Sequence, residues 1–99
     1  MIAYKLFKLR KNGTIGPLFI NCPQVITFNE WLPAEFHPKK KFKPRKGWHC
    51  CSTPQAPHLS IKGRIWCKVE ISDYSELVRP DSQGGIWYIA ENMKVLSFI

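Results

Sequence analysis

The chain has 99 residues, of which 44% are hydrophobic and 13% aromatic, so it suits one compact domain (1–99) and is too apolar to be disordered. Its formal net charge is +8, and no stretch approaches the roughly 20 apolar residues that cross a bilayer, so we expect an anionic partner and no membrane. The amino-terminal residues alternate with lysines and do not resemble a secretory signal, which favours a reduced, cytoplasmic protein.

The first third of the chain predicts a β-hairpin. Residues 3–10 are rich in strand-forming side chains, and Asn12-Gly13 is a strong signal for a tight hairpin turn. Residues 15–20 are predicted to return as the second strand. Residues 27–32 then predict a single helical turn, because a capping residue starts the segment and a proline follows it.

A run of positive charge lies in segment 37–47, which its prolines and charges predict to be a basic surface loop. Six of the eight residues 39–46 are cationic, and folding alone does not require such a run. We therefore expect an anionic partner, which leaves open nucleic acid, a ribonucleoprotein and an acidic protein surface; the alternative is a solvated loop that aids solubility. The residues predicted to bind the partner are Lys39, Lys40, Lys41, Phe42, Lys43, Arg45, Lys46 and Trp48.

The second half of the chain predicts more strands than helices. Residues 48–51 form a predicted strand, and residues 64–71 are the clearest strand because apolar and polar side chains alternate there. Segments 52–55 and 73–78 each predict a short helical turn. The last two strands are predicted at 86–90 and 93–98, with a tight turn at 91–92. The predicted fold class is α+β: a small twisted, mainly antiparallel sheet of five to six strands with one or two short helices.

The histidines and cysteines of the middle segment suggest zinc binding or nucleophilic catalysis. Cys50 and Cys51 are adjacent, and on a strand their side chains point to opposite faces, unlike the spacing of structural zinc sites. For the same reason His49 does not face either thiol as a base would. A metal site of His49, Cys51, His58 and Cys67 stays geometrically possible. We expect Cys67 to be a small buried hydrophobe, and we expect neither a metal nor a cofactor.

Two segments together resemble the strand–helix–strand middle of ADP-ribosyltransferase-like domains. They are 47–56, where a glycine and an aromatic residue precede Ser-Thr, and 64–71, an alternating strand. The final segment 87–99 is similar to the way those domains end. Similar segments also occur in small proteins of phages and mobile elements, and the resemblance covers about half of the chain.

The resemblance implies a set of nucleotide-binding residues. The family uses an arginine or histidine on the first strand to hold NAD, and Arg10 or Arg64 corresponds to it. The family has Ser-Thr-Ser after the second strand, and Ser52 and Thr53 match its first two residues. Segment 79–85 is predicted as a polar loop, and whether it is a pocket rim or a plain turn stays open. The implied nucleotide pocket consists of Arg10, His49, Ser52, Thr53, Arg64 and Gln83.

The chain departs from this family where the chemistry should be. Pro54 replaces the last serine, and two glycines follow Gln83 where the catalytic glutamate is expected; Glu91 is the only acidic residue in the last strands. The sequence therefore predicts a non-enzymatic binding protein, in concrete form a phage or mobile-element accessory factor that inhibits a host defence factor. The alternatives are a direct RNA- or DNA-binding module and an ADP-ribosyltransferase-like NAD or nucleotide binder, and the oligomeric state is not predicted.

Overall fold

The fold consists almost entirely of β-strands in the residues that the computed structural model describes, 1–18, 24–34 and 47–99. Strand takes up 57% of these residues and helix 4%, so the predicted α+β class is wrong and the described protein is a mainly antiparallel β-sheet. No helix in this part of the chain is long and apolar enough to cross a membrane. The elements are β1 (Ile2–Leu9), β2 (Ile15–Gly16), β3 (Trp31–Pro33), β4 (Trp48–Cys51), β5 (Arg64–Val78), β6 (Ile86–Phe98) and one 3-10 turn at Asp81–Gln83.

None of the three segments predicted to be helical forms a helix. Residues 73–78 continue β5, because β6 supplies a hydrogen-bonding partner from Tyr74 to Val78. Asp73 has a φ of 53°, which aspartate tolerates, and it distorts the strand without ending it. Residues 52–54 form bends, where a proline removes a donor that a helix would need. Residues 27–32 turn at Asn29, whose φ is 58°, and then enter β3.

The predicted turn at residues 91–92 is also wrong, because β6 is one strand. It pairs with β5 from Val78↔Ile86 to Cys67↔Phe98, and this long partner holds the chain extended through the polar residues. The tip of the hairpin is the polar loop 79–85, where the Arg79 amide donates to the Gly85 carbonyl at 2.7 Å. Gly85 has a φ of 73°, a conformation that favours glycine, so the paired glycines form a turn.

The predicted first hairpin is confirmed, although its second strand is short. β1 pairs with β2 in the register Leu9↔Ile15, and the Thr14 amide donates to the Asn12 side chain at 3.1 Å within the turn. β2 ends at Gly16 because the next residue, Pro17, has no N–H for the ladder. The last residues of the predicted strand, 19 and 20, lie outside the described residues.

The strand pairings form a closed ring. β1 pairs with β4 through Tyr4↔Cys51 and with β5 through seven residue pairs, and β6 pairs with both β4 and β5. The ring order is therefore β1–β4–β6–β5, and β3 adds to β6 outside it. A bulge between Lys68 and Val69 lets β5 bend around the ring. The result is a small barrel-like sheet with an inner and an outer face.

Each face of the sheet carries its own hydrophobic cluster. The inner cluster contains Phe7, Ile71 and Met93, all at most 1% exposed, and burial of each side chain contributes about 1.5–3 kcal/mol. The outer cluster contains Cys51, Ala56 and Trp87, with Leu59, Trp66 and Leu77 packed against it. Neighbours Cys50 and Cys51 belong to different clusters, and Cys67 is fully buried in the inner one; both predictions are confirmed.

Candidate functional site

Five cationic side chains line one groove where β1 ends and β5 begins, and we call it the basic groove. The antiparallel pairing places Lys8 opposite Arg64, and the Leu9 amide donates to the Gly63 carbonyl at 2.9 Å. The tight turn after β1 brings Lys11 to the same place. The groove has a volume of about 700 Å³ and is lined by Lys8, Leu9, Arg10, Lys11, Leu18, Lys62, Gly63 and Arg64.

Arg10 is held rigidly at the edge of the basic groove. Its guanidinium donates to the carbonyls of Ile15, at 3.1 Å, and Gln24, at 2.8 Å. A Cβ at Gly16 would collide with this guanidinium, so only glycine leaves it room. Arg10 thus joins the first hairpin to the segment that follows it, and its position in the groove is fixed by main-chain contacts.

The remaining cations of the basic groove come from both of its walls. The Arg64 guanidinium donates to the Ser60 carbonyl at 2.9 Å, which orients it beside the turn that precedes β5. Lys8, Lys11 and Lys62 are exposed, and none of them forms an ion pair with a described residue. These three ammonium groups are therefore available for an anionic ligand, and together the side chains give the groove a positive potential.

The acidic side chains of the described residues lie away from the basic groove. None of those in the described residues lines the basic groove. Five of them follow one another on β5, the hairpin tip and β6, and Lys94 pairs with one of these, Glu70, at 3.7 Å. Five cations are concentrated at the groove, whereas these carboxylates lie farther along β5 and β6, together with Lys68, Arg79 and Lys94. Such a separation orients an approaching polyanion toward the groove.

The structure brings together two of the six residues of the implied nucleotide pocket. Arg10 and Arg64 line the basic groove, but Ser52, Thr53 and Gln83 do not. The Ser52 amide donates a hydrogen bond to the carbonyl of Ile86 at the start of β6. The Gln83 carbonyl accepts a hydrogen bond from the indole N–H of Trp87 at 2.6 Å. The sixth residue, His49, lies on β4, and its carbonyl accepts a hydrogen bond from the Lys5 ammonium at 2.7 Å.

Seven of the eight residues predicted to bind a partner belong to segment 39–46, and the eighth is Trp48. Residues 39–46 lie outside the described residues. Trp48, by contrast, is only 9% exposed and packs in the inner cluster, where its indole N–H donates to the Leu32 carbonyl at 2.9 Å. This position gives no support to the prediction that Trp48 stacks on a partner.

The hairpin tip, predicted as either a pocket rim or a plain turn, packs against the segment after β4. The guanidinium carbon of Arg79 lies 4.6 Å from the ring centroid of Trp87, and the His58 ring lies 5.8 Å from the same indole. A Cβ at Gly84 would approach the Gln55 carbonyl to 2.7 Å, so the loop and the tip are in close contact. These contacts bury Trp87 and close the outer cluster.

Three free cysteines on β4 and β5 are buried. Burial raises the pKa of Cys50 to about 11 and those of Cys51 and Cys67 to about 12, while the nearby ammonium of Lys5 opposes the shift at the first two. All three are free cysteines, and their burial disfavours the thiolate form that a nucleophile or a metal ligand requires. The described residues also contain no group of three potential metal ligands.

Sequence reasoning missed the three lysines of the basic groove. Lys11 precedes the Asn12-Gly13 turn, Lys62 precedes the turn residue Gly63, and Lys8 lies near the end of β1. Each was visible as a single surface cation. Their convergence depends on the register of β1 against β5, which neither segment reveals alone.

No protein-family model, curated protein or solved structure matches the chain. The resemblance to ADP-ribosyltransferase-like domains and to phage proteins therefore stays a prediction.

Proposed function

We propose that the protein is a small, non-enzymatic binding protein that holds an anionic macromolecule in the basic groove, assisted by the basic segment 39–46. Support comes chiefly from one observation: five cations from two separate parts of the chain line one groove with no described acidic residue among them. Neighbouring like charges repel, so this arrangement lowers folding stability unless a ligand neutralises it.

The expected interaction is electrostatic and depends on salt. Each lysine that contacts a phosphate releases a counterion, and the affinity then falls steeply as the salt concentration rises. Lys8, Lys11 and Lys62 are suited to this role because they are exposed and not paired with a described carboxylate. Arg10 and Arg64 add positive charge from fixed positions.

The biological setting is part of the proposal. An accessory factor of a phage or mobile element that inhibits a host defence factor in the cytoplasm is its concrete form, and it follows from the resemblance. An ADP-ribosyltransferase-like nucleotide binder is the weaker candidate, because Ser52, Thr53 and Gln83 do not line the groove that contains Arg10 and Arg64.

Binding of the full chain to a labelled polyanion tests the proposal. We would titrate inorganic polyphosphate and a labelled RNA oligonucleotide with the wild type, a groove variant (Lys8→Gln, Lys11→Gln, Lys62→Gln) and a segment variant with the six cations of 39–46 replaced by glutamine. We would also titrate the single variant Lys62→Gln, with Lys94→Gln as its control. Each of these two substitutions removes one cation, but Lys94 lies outside the groove.

The groove variant is expected to bind at least tenfold more weakly at equal salt, since three phosphate contacts are lost. Lys62→Gln should weaken binding and Lys94→Gln should not. Absence of binding to either polyanion at low salt, or equal affinity of the wild type and the groove variant, would contradict the proposal.

A further inference from the structure

On the outer face of the sheet, side chains of β1 lie opposite side chains of β5 and form a row that extends from the basic groove. Alternate residues of a strand share a face, and Trp66 belongs to the outer cluster, so the row lies outside the barrel. Its three cross-strand pairs are Lys8↔Arg64, Leu6↔Trp66 and Tyr4↔Lys68.

Two aromatic rings in this row differ from the aromatic residues of the core. Trp48 and Trp87 are at least nine-tenths buried, and their indole N–H groups donate to main-chain carbonyls. Trp66 is only half-buried, and its indole N–H has no hydrogen-bond partner among the described residues. Tyr4 is also half-buried and packs against neither hydrophobic cluster. Both rings therefore keep accessible surface beside exposed cations.

Cations flank the aromatic rings at regular intervals. Along β5, Arg64, Trp66 and Lys68 follow at every second residue, so neighbouring side chains on this face are about 7 Å apart. A ligand that follows the strand from the groove meets a cationic pair, then Trp66, then Lys68 beside Tyr4. Positive charge interleaved with aromatic rings is the arrangement that binds a single strand, because phosphates pair with the cations and bases stack on the rings.

We infer that this face, together with the basic groove, binds single-stranded RNA or DNA; the inference rests on the proposed function and names the partner. An acidic protein would use the cations but has no bases to stack on Trp66. A duplex keeps its bases stacked internally, so half-buried rings on a strand would not reach them. A single strand is the polyanion that uses both features.

Fluorescence anisotropy with the full chain tests this inference. The four probes are a labelled single strand of about 12 nucleotides, a duplex of equal length, an abasic strand with the same number of phosphates, and polyglutamate. The key variants are Trp66→Leu, Trp66→Phe and Tyr4→Leu. Trp31→Leu is the matched control, because Trp31 is an exposed tryptophan on β3, away from this row.

The base-bearing strand is expected to bind about tenfold more tightly than the abasic strand, and Trp66→Leu should remove most of that difference. Trp66→Phe should retain it, and Trp31→Leu should leave it unchanged. If Trp66→Leu does not fold by circular dichroism, Tyr4→Leu and the comparison of base-bearing with abasic strand decide the question.

The failures of the inference and of the proposed function give different results. Equal binding of the base-bearing strand, the abasic strand and polyglutamate, with the groove variant still weakened, overturns the single-strand inference and leaves the proposed function standing. Tighter binding of the duplex or of polyglutamate overturns it in favour of that partner. Absence of binding to all four probes at low salt overturns both.

Discussion

Lys8 lies directly opposite Arg64 in the antiparallel pairing of β1 with β5. Two like charges that face each other across a sheet destabilise it, so this pair opposes folding. A hydrogen bond to the Ser60 carbonyl holds the Arg64 guanidinium in place. Lys8 is exposed, so it is the side chain of this pair that can move away from the other charge. Both side chains line the basic groove, which is where a bound anion would relieve the repulsion.

Replacement of Lys8 should therefore stabilise the protein while it weakens binding. For Lys8→Gln we expect the free energy of unfolding in urea to rise by about 0.2–1 kcal/mol, because the like-charge pair is removed. Lys94→Gln is the control: it breaks the ion pair with Glu70 and should lower this free energy by at most about 1 kcal/mol. A loss of stability in Lys8→Gln would show that the facing charges are not repulsive here.

Gly16→Ala should destabilise the protein because a Cβ at this position collides with the Arg10 guanidinium. We expect a loss of about 1–3 kcal/mol in urea denaturation, the range for overpacked sites. In an Arg10→Ala background the same substitution should cost clearly less, since the colliding group is absent. Equal losses in both backgrounds would mean that the Gln24 carbonyl, the other close neighbour, causes the effect.

The sequence predicted those elements whose signals are local. The Asn12-Gly13 turn and the alternation of 64–71 each lie within a few residues, and both were correct. Residues 73–78 and 91–92 were misassigned because their polar side chains are compatible with a turn, while the pairing of β5 with β6 decides their conformation. The local turn propensity of a few residues has less effect on their conformation than pairing with a continuous neighbouring strand.

Stability should fall between pH 9 and about 12. Burial raises the pKa of Cys50 to about 11 and of Cys51 and Cys67 to about 12, above the ordinary value of 9.0. The folded state therefore binds more protons than the unfolded state in this window, and the stabilisation present below pH 9 is lost as the pH rises. Urea denaturation at several pH values measures this, and Cys67→Ala should make the decline shallower.

Lys5 should act in the opposite direction. Burial lowers its pKa below the ordinary 10.5, so raising the pH toward 10.5 relieves a cost of keeping the ammonium buried. Above pH 10.5 Lys5 contributes no further change and the thiols act alone, so the decline continues to about pH 12. Lys5→Met should make the decline below pH 10.5 steeper. A free energy of unfolding that stays constant from pH 9 to 12 would contradict the assigned burial of the thiols.

The same burial predicts slow thiol chemistry. In a Cys22→Ser background, chosen because Cys22 lies outside the described residues, Cys50, Cys51 and Cys67 should react with Ellman's reagent at pH 7 at least about tenfold more slowly than free cysteine. Addition of urea should restore the full rate. A rapidly reacting thiol in the folded protein would reopen the possibility of cysteine chemistry at β4 or β5.

The candidate site was only partly predictable from the sequence. The net charge led to the prediction of an anionic partner, and Arg10 and Arg64 were named through the resemblance. Their meeting with Lys8 and Lys62 was not predictable, because it follows from pairing between β1 and β5, which lie far apart in the chain. The burial of Trp48 was equally hidden, because a tryptophan beside a charged loop gives no local sign of which face of its strand is buried.

The salt dependence of RNA binding tests the central claim most directly. The logarithm of the association constant of the full chain should fall linearly with the logarithm of the salt concentration. In the groove variant Lys8→Gln, Lys11→Gln, Lys62→Gln the slope should shrink by about 2–3, one phosphate contact for each lysine. An unchanged slope in this variant would show that the basic groove does not hold the anion.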